Sequence, residues 1–381
     1  MSIFKPALKK TILSIATGCV LSTPAMATST DEEIQALWQT LDSMQEQLSS
    51  AEEWKSPNSL IHMAGYADVN YVNTDSDSGN FKTGAFAPIF HYQYRDLVML
   101  ESEIAFKVTA DGETEVDMEY FTVDFFMGDN AALVMGKFLS PLGQFRQNLH
   151  PSWINKLPSA PIGFGHDQAS PNSDVGIQVR GGFKLSFADA NYAVYTGNGV
   201  ASELNASGNE IEMIESPGYN VDGDRKKNYG GRFGLFFPSS KVDFGLSWAS
   251  GKLSEVEAGA YTNTRDWDFI GADFTWHLGG LDLRGEYAKQ TVGALATSTA
   301  PEKADFEAYY AQIAYRFALS KWEIVARTSQ YTIPETTMNR TSAGINYIFA
   351  SNIIAKLAYE TNDDDIAPVD DKMLVQLAYG F

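Results

Sequence analysis

From Leu60 to the C-terminus the chain alternates apolar and polar residues with a period of two. The last nine residues show the pattern: Met373, Val375, Leu377, Tyr379 and Phe381 on one side, Leu374, Gln376, Ala378 and Gly380 on the other. Period two marks a strand with one apolar face. Sixteen such segments are predicted, at about 60–72, 85–95, 97–108, 115–127, 131–139, 174–186, 189–197, 229–238, 241–250, 266–278, 280–291, 305–318, 320–331, 340–350, 352–361 and 372–381. Pro88 sits inside the second and predicts a bulge or a later start there, because proline cannot donate to a ladder.

The connections add a second signal. Every other one is tiny: Arg95-Asp96, Gly128-Asp129-Asn130, Phe187-Ala188-Asp189, Pro238-Ser239-Ser240, Leu278-Gly279-Gly280, Ala318-Leu319-Ser320 and Ala350-Ser351-Asn352. The rest are mostly longer and polar: 73–84, 109–114, 140–173, 198–228, 251–265, 292–304, 332–339 and 362–371. Short turns alternating with long loops, and an even strand count, predict an all-β transmembrane antiparallel β-barrel. Its faces agree. Val175, Ile177, Val179, Phe183 and Leu185 oppose Gln178, Arg180 and Lys184, and Ile353, Ala355, Leu357 and Tyr359 oppose Lys356 and Glu360. Charges face hydrocarbon only at high cost, so the polar face is expected to line an interior. Strand-end aromatics (Trp248, Trp267, Trp276, Trp322, Tyr347 and Phe381) are expected in interfacial girdles. The final strand is expected to close against the segment near Ile61 to Tyr71, with Gln376 facing inward and Phe381 at the periplasmic rim.

The N-terminus refines the picture. Lys5, Lys9 and Lys10, an apolar Thr11–Leu21 and Ala25-Met26-Ala27 read as a signal peptide over 1–27, which places the barrel in a Gram-negative outer membrane. An alternative is a lipoprotein box at Ala16-Thr17-Gly18-Cys19. Ile34, Leu37, Leu41, Met44 and Leu48 step as a heptad seam, so 28–57 is expected to be a short periplasmic coiled coil or an amphipathic helix, with the barrel at 58–381. The net charge is −20, and loss of the three leader lysines takes it to −23. That acidity counts against nucleic-acid partners. The single cysteine, Cys19, leaves with the leader, so disulfides and thiolate metal sites are excluded from the mature chain.

Candidate chemistry concentrates in 140–173, which carries Pro141, Pro151, Pro158, Pro161 and Pro171 with Phe145, Trp153 and Phe164. A loop of this length inside a compact fold is usually functional. Its charges are Arg146 and Lys156 against Asp167, with His150 and His166. Gly136-Lys137-Phe138-Leu139-Ser140-Pro141-Leu142-Gly143, the proline-rich stretch after it, Tyr195-Thr196-Gly197-Asn198-Gly199, the heptads and the terminal Phe381 resemble the phosphate-selective-type porins. The ending also resembles the signature by which barrel-insertion machinery recognises its clients, through Tyr379 and Phe381. The resemblance implies a sixteen-stranded homotrimeric channel whose third loop folds inward. It does not carry phosphate specificity, and the acidic balance counts against strong anion selectivity.

Pore-constriction and lumen candidates are therefore Arg146, Lys156, Lys137, Arg180, Lys184, Arg284, Arg327, Glu101 and Glu103. Further inward-facing bases are Arg232, Arg316 and Lys356, and further acids Asp243, Asp273, Glu286, Glu323 and Glu360. Such charges either filter solutes or pair with one another in a wet wall. Asp75, Asp77, Asp363-Asp364-Asp365, Asp370 and Asp371 read as solvated loop tips, with calcium binding or bridging to lipopolysaccharide as alternatives. His150 and Ser152 lack an orienting partner and oxyanion donors, so they read as loop structure rather than a hydrolase site. No cofactor motif is present. The expected function is passive diffusion of small hydrophilic solutes or ions through an outer-membrane porin; the rivals are a structural or partner barrel and, third, a barrel hydrolase.

Overall fold

The computed structural model describes residues 59–257, 260–366 and 369–381. The expected signal peptide and the heptad segment lie outside the described residues. Eighteen strands form one sheet. They are β1 (Ser59–Thr74), β2 (Asn80–Tyr94), β3 (Val98–Val108), β4 (Thr114–Phe126), β5 (Ala131–Leu139), β6 (Ser173–Lys184), β7 (Asp189–Gly197), β8 (Ala201–Leu204), β9 (Ile211–Glu215), β10 (Asn228–Phe237), β11 (Val242–Glu257), β12 (Ala260–Leu278), β13 (Leu281–Val292), β14 (Ala304–Arg316), β15 (Trp322–Thr332), β16 (Thr337–Ala350), β17 (Ile353–Asp364) and β18 (Lys372–Gly380). Sixteen of them pair antiparallel with their sequence neighbours, β7 with β10 included, and β18 closes on β1. The small β8–β9 hairpin lies within the loop between β7 and β10 and docks parallel on β11.

Closure follows from the terminal period-two pattern. Tyr66 stands opposite Gly380 and Tyr71 opposite Val375. The Phe381 amide donates to the Gly65 carbonyl at 2.9 Å, and the Gly65 amide donates back to the Phe381 carbonyl at 3.0 Å. Gly65 has φ +155, and a Cβ there would sit 2.6 Å from the Phe381 ring, so only glycine admits the ring. Phe381 then stacks beside Phe86 and Tyr379 on the outer surface.

The outer face is apolar at every second position. Phe244, Leu246 and Trp248 on β11, and Leu357 and Tyr359 on β17, are exposed, while Ala358 between the last two and Lys356 and Glu360 on either side are buried inward. Trp322, Tyr347 and Phe349 form an aromatic ladder near the short-turn end. Trp267 corrects the girdle expectation. It faces inward, 1 % exposed, and donates to Gln290 Oε1 at 2.9 Å. Trp267 and Phe269 share the β12 face of Asp273 and Thr275, and that face meets the inward loop.

Three further expectations change. β2 starts at Asn80 and runs through Pro88. The β2–β3 register is the same on both sides of the proline, Phe86 opposite Phe106 and Ile89 opposite Glu103, so the expected bulge lies instead toward β1 and upstream of Pro88, where Gly84 and Ala85 oppose the single residue Asp68. The segment 251–265 is not a loop: β11 and β12 continue as a paired hairpin to Glu257 and Ala260. The polar stretches 73–84 and 332–339 shrink likewise to 75–79 and 333–336. Apolar periodicity ends where hydrocarbon ends, but backbone pairing does not need it and continues above. A bulge unseen in the sequence falls in β4, where Glu119 is the extra residue between the Tyr120–Glu103 and Met118–Ile104 pairs. Val116 and Met118 below it, and Phe121 and Phe125 beyond it, all stay exposed outward. Glu119 and Tyr120 are therefore both turned inward, as a bulge allows.

Candidate functional site

The connection 140–172 between β5 and β6 lies inside the barrel. Its first limb is fixed by backbone amides. Gln144 and Phe145 amides donate to the Glu286 carboxylate at 3.1 and 2.9 Å, and the Gly143 amide donates to Ser247 Oγ at 2.9 Å. These are the free N-terminal donors of the π-helical turn Phe145–Leu149, met by a buried carboxylate. Phe145 and Phe164 pack edge-on against Tyr310 of β14, in a cluster with Leu142, Trp267, Phe269 and Phe306.

The middle of the loop is held by cations of the opposite wall. The Lys356 ammonium donates to the Ser152 carbonyl, to the Asn155 carbonyl at 2.6 Å and to Gln376 Oε1 at 2.8 Å. Arg327 Nη2 donates to Ser159 O, Ser159 Oγ and Ala160 O at 3.1, 2.9 and 3.2 Å. Lys156 reaches back to Glu323 at 2.6 Å, and Asn346 donates to the Lys156 carbonyl at 2.9 Å. Glu360 accepts from Ser159 Oγ and from Ser342 Oγ. Trp153 lies against Gly380, where a Cβ would meet its ring. Every long side chain in this set is more than four-fifths buried.

The expected lumen charges thus divide. Arg327, Lys356, Glu286, Glu323 and Glu360 point inward but bind the loop rather than open space. Arg146 is 5 % exposed and pairs with Glu119 at 3.4 Å. Glu103 is buried, accepting from Tyr66 Oη at 2.8 Å with His150 3.7 Å away. His150 stacks edge-on with Tyr66, and the Ser152 carbonyl holds Lys356, so both residues have structural partners. Arg284 turns onto Asp282 at 2.7 Å, and Arg232 forks onto Asp273 at 2.8 and 2.6 Å, with Asp243 3.8 Å away. Lys184 and Arg316 share the inward parity at the short-turn end and are exposed. Lys137 is a correction. It stands opposite Phe121 and Val175, on the face of Met135 and Ile177, which is the outer face. Its stem packs on Gly218. Gly136, at φ +129, comes just before it.

The loop is anchored mainly on β11 to β18; besides cavities of about 390 Å3 against β1 to β4 and about 360 Å3 against β12 to β17, it leaves space against β3 to β7. Two adjoining cavities of about 240 and 420 Å3 lie there, sharing Gln147, Gln178 and Arg180. The first reaches up to Tyr120, Phe138 and Leu139, and the second down to the turn Gly128–Asn130. Arg180 is the partly open cation of this space, with a 42 % exposed side chain bridging Asp124 at 2.5 Å and Glu101 at 3.1 Å. Glu101 also meets His91 at 3.3 Å. Tyr120, Asp124, Gln147 and Asn148 were not singled out in the sequence. The broken period at Glu119-Tyr120 was the available signal for Tyr120.

No protein-family model matches the chain, and no curated protein matches its sequence significantly. Solved structures do. OmpT of Vibrio cholerae in its trimer form aligns with TM-score 0.59 at 10% identity, over 85% of this chain and 99% of that one. The anion-selective porin from Comamonas acidovorans aligns with TM-score 0.59 at 12% identity, over 85% and 100%. OmpF of Salmonella typhi, in complex with daunomycin, aligns with TM-score 0.53 at 12% identity, over 85% and 98%. The fold is that of the outer-membrane porins. The likeness extends to porins broadly and does not single out the phosphate-selective type.

Proposed function

We propose that the chain is an outer-membrane diffusion channel for small hydrophilic solutes, narrowed by the inward loop 140–172 and open along β3 to β7. The observation that carries this reading is the uneven anchoring of the loop. Most of its polar anchors come from β11 to β18, Arg146 and His150 meeting Glu119 and Glu103 on the other side, and water-sized space remains beside Arg180, Gln178, Gln147 and Asn148. Closed barrels of sixteen strands or more leave an aqueous interior that side chains alone do not fill.

Selectivity is expected to be weak. In the open space Arg180 is balanced by Glu101 and Asp124, and Arg232 by Asp273. A fixed dipole of this kind orients polar solutes without excluding either sign. The constriction charges are then Arg180 and Glu101, with Arg146 and Lys156 acting as anchors. Similarity to OmpT of Vibrio cholerae, which has a trimer form, favours self-association into a homotrimer, and the phosphate-type motif at Gly136–Gly143 adds no phosphate site. Phe381 and Tyr379 on the outer rim are available to insertion machinery, and the acidic loop tips to cation-bridged lipopolysaccharide.

Planar-bilayer recording of the purified full chain tests the reading. Stepwise ohmic conductance with a small reversal potential in a salt gradient supports it. A silent bilayer containing heat-modifiable, folded protein would favour the structural or partner barrel.

A further inference from the structure

Where the inward loop climbs back to the wall, it meets two carboxylates of β4. Asp117 and Glu119 face the interior there, and one ligand atom from each lies within 4.8 Å of the other and of a His166 ring nitrogen. The β4 bulge at Glu119 belongs to this arrangement, since it re-aims the wall at the loop.

We propose that Asp117, Glu119 and His166 form a site for a divalent transition-metal ion, zinc(II) being the best match to the donor set, which latches the returning limb of the loop to β4. The separation of two of the ligands fits. His166 Nε2 and Glu119 Oε1 are 3.6 Å apart. That is long for a hydrogen bond but close to the edge of a tetrahedron with metal–ligand bonds of about 2.0–2.1 Å, roughly 3.3 Å. The two oxygens of Glu119 have separate tasks: Arg146 Nη2 lies 3.4 Å from Oε2, leaving Oε1 for the ion. One imidazole and two carboxylates leave a fourth position for water or solute.

A second observation comes from Asn172. It is 2 % exposed, its Oδ1 has no partner, and its side-chain amide sits 3.0 Å from His166 Nδ1. With the amide turned over, Oδ1 accepts from Nδ1–H and gains the partner it otherwise lacks. The proton then resides on Nδ1 and Nε2 keeps its lone pair toward Glu119. Metal-bound histidines use an outer hydrogen bond of this kind to fix ring and tautomer. Arg146 offsets part of the carboxylate charge and sets the affinity below that of a closed structural zinc site. Asp117, Glu119 and His166 are the one such cluster among the described residues; the acidic tips near Asp363 and Asp370 supply no imidazole.

The test uses the refolded full chain in detergent, titrated with zinc(II) by calorimetry and with cobalt(II) by visible absorption. One ion per chain is expected, with intense low-symmetry cobalt bands displaced by zinc. His166→Ala and Asp117→Asn are each expected to weaken binding at least tenfold, and Asp363→Asn to leave it unchanged. His166→Gln, which keeps polarity and bulk, serves if the alanine variant does not refold. Undiminished binding in the His166 and Asp117 variants, binding lost only in Asp363→Asn, or no binding by the folded chain would each overturn the site.

Discussion

Lys356→Met isolates the wall-to-loop anchor. The ammonium is 2 % exposed and places its three donors on Ser152 O, Asn155 O and Gln376 Oε1. Methionine fills similar space but leaves two loop carbonyls buried without donors. A hydrogen bond to a charged group contributes about 1.5–3 kcal/mol. Relief of the ammonium's own desolvation argues for the low end. The two loop bonds together then favour docking by about 3 kcal/mol, roughly two decades in the local opening equilibrium. Sixteen ladders hold the barrel independently, so its heat-modifiable migration should be unchanged. Hydrogen exchange by mass spectrometry, read on peptides covering 150–157, should show protection lowered about a hundredfold. Single-channel traces should become noisier, with larger conductance levels. Exchange altered by less than about threefold would refute the claim that Lys356 holds the loop, since no other described donor reaches those two carbonyls.

Other outcomes follow from the same geometry. Arg180→Glu should move the reversal potential toward cations, whereas Lys137→Gln, on the outer face, should leave it where it was. Glu286→Ala removes the acceptor of two loop amides and should cost about 2–4 kcal/mol of loop docking, seen as raised exchange at 143–147. Gly65→Val places a side chain in the space of the Phe381 ring and should slow refolding and weaken closure, measured as loss of the heat-modifiable band; Phe381→Ala in the same background should recover part of it.

Much of the barrel was legible because lipid imposes a strict rule. Each strand must show hydrocarbon an apolar residue at every second position, and β11, β17 and β18 do so without exception in their membrane portions. Strand ends were less legible: 251–265 read as a loop, yet β11 and β12 stay paired there, because backbone pairing continues where the apolar period has ended. The site was legible only in part. Parity gave the inward direction of Arg180, Arg327, Lys356 and Glu286, but not their partners, which for Arg180 are wall carboxylates and for the other three include loop groups as far as 201 residues away. Lys137 was misassigned because the polar side of β5 was taken from charge, when Leu133, Met135 and the opposing Phe121 already marked that face as outward. Trp267 was misassigned because an aromatic at a strand end reads as a girdle residue, and nothing local announces that a loop core waits inside.

The central claim is that water and solutes pass beside Arg180 while the loop is anchored on the opposite wall. Thiol accessibility tests it most directly, in a Cys19→Ser background that removes the single native thiol. Asn148→Cys, exposed in the upper cavity, and Ser342→Cys, buried behind the loop, would be treated with a sulfonated methanethiosulfonate reagent during bilayer recording. The account predicts a stepwise fall in conductance for Asn148→Cys and none for Ser342→Cys. Block at Ser342→Cys with Asn148→Cys unaffected would contradict it.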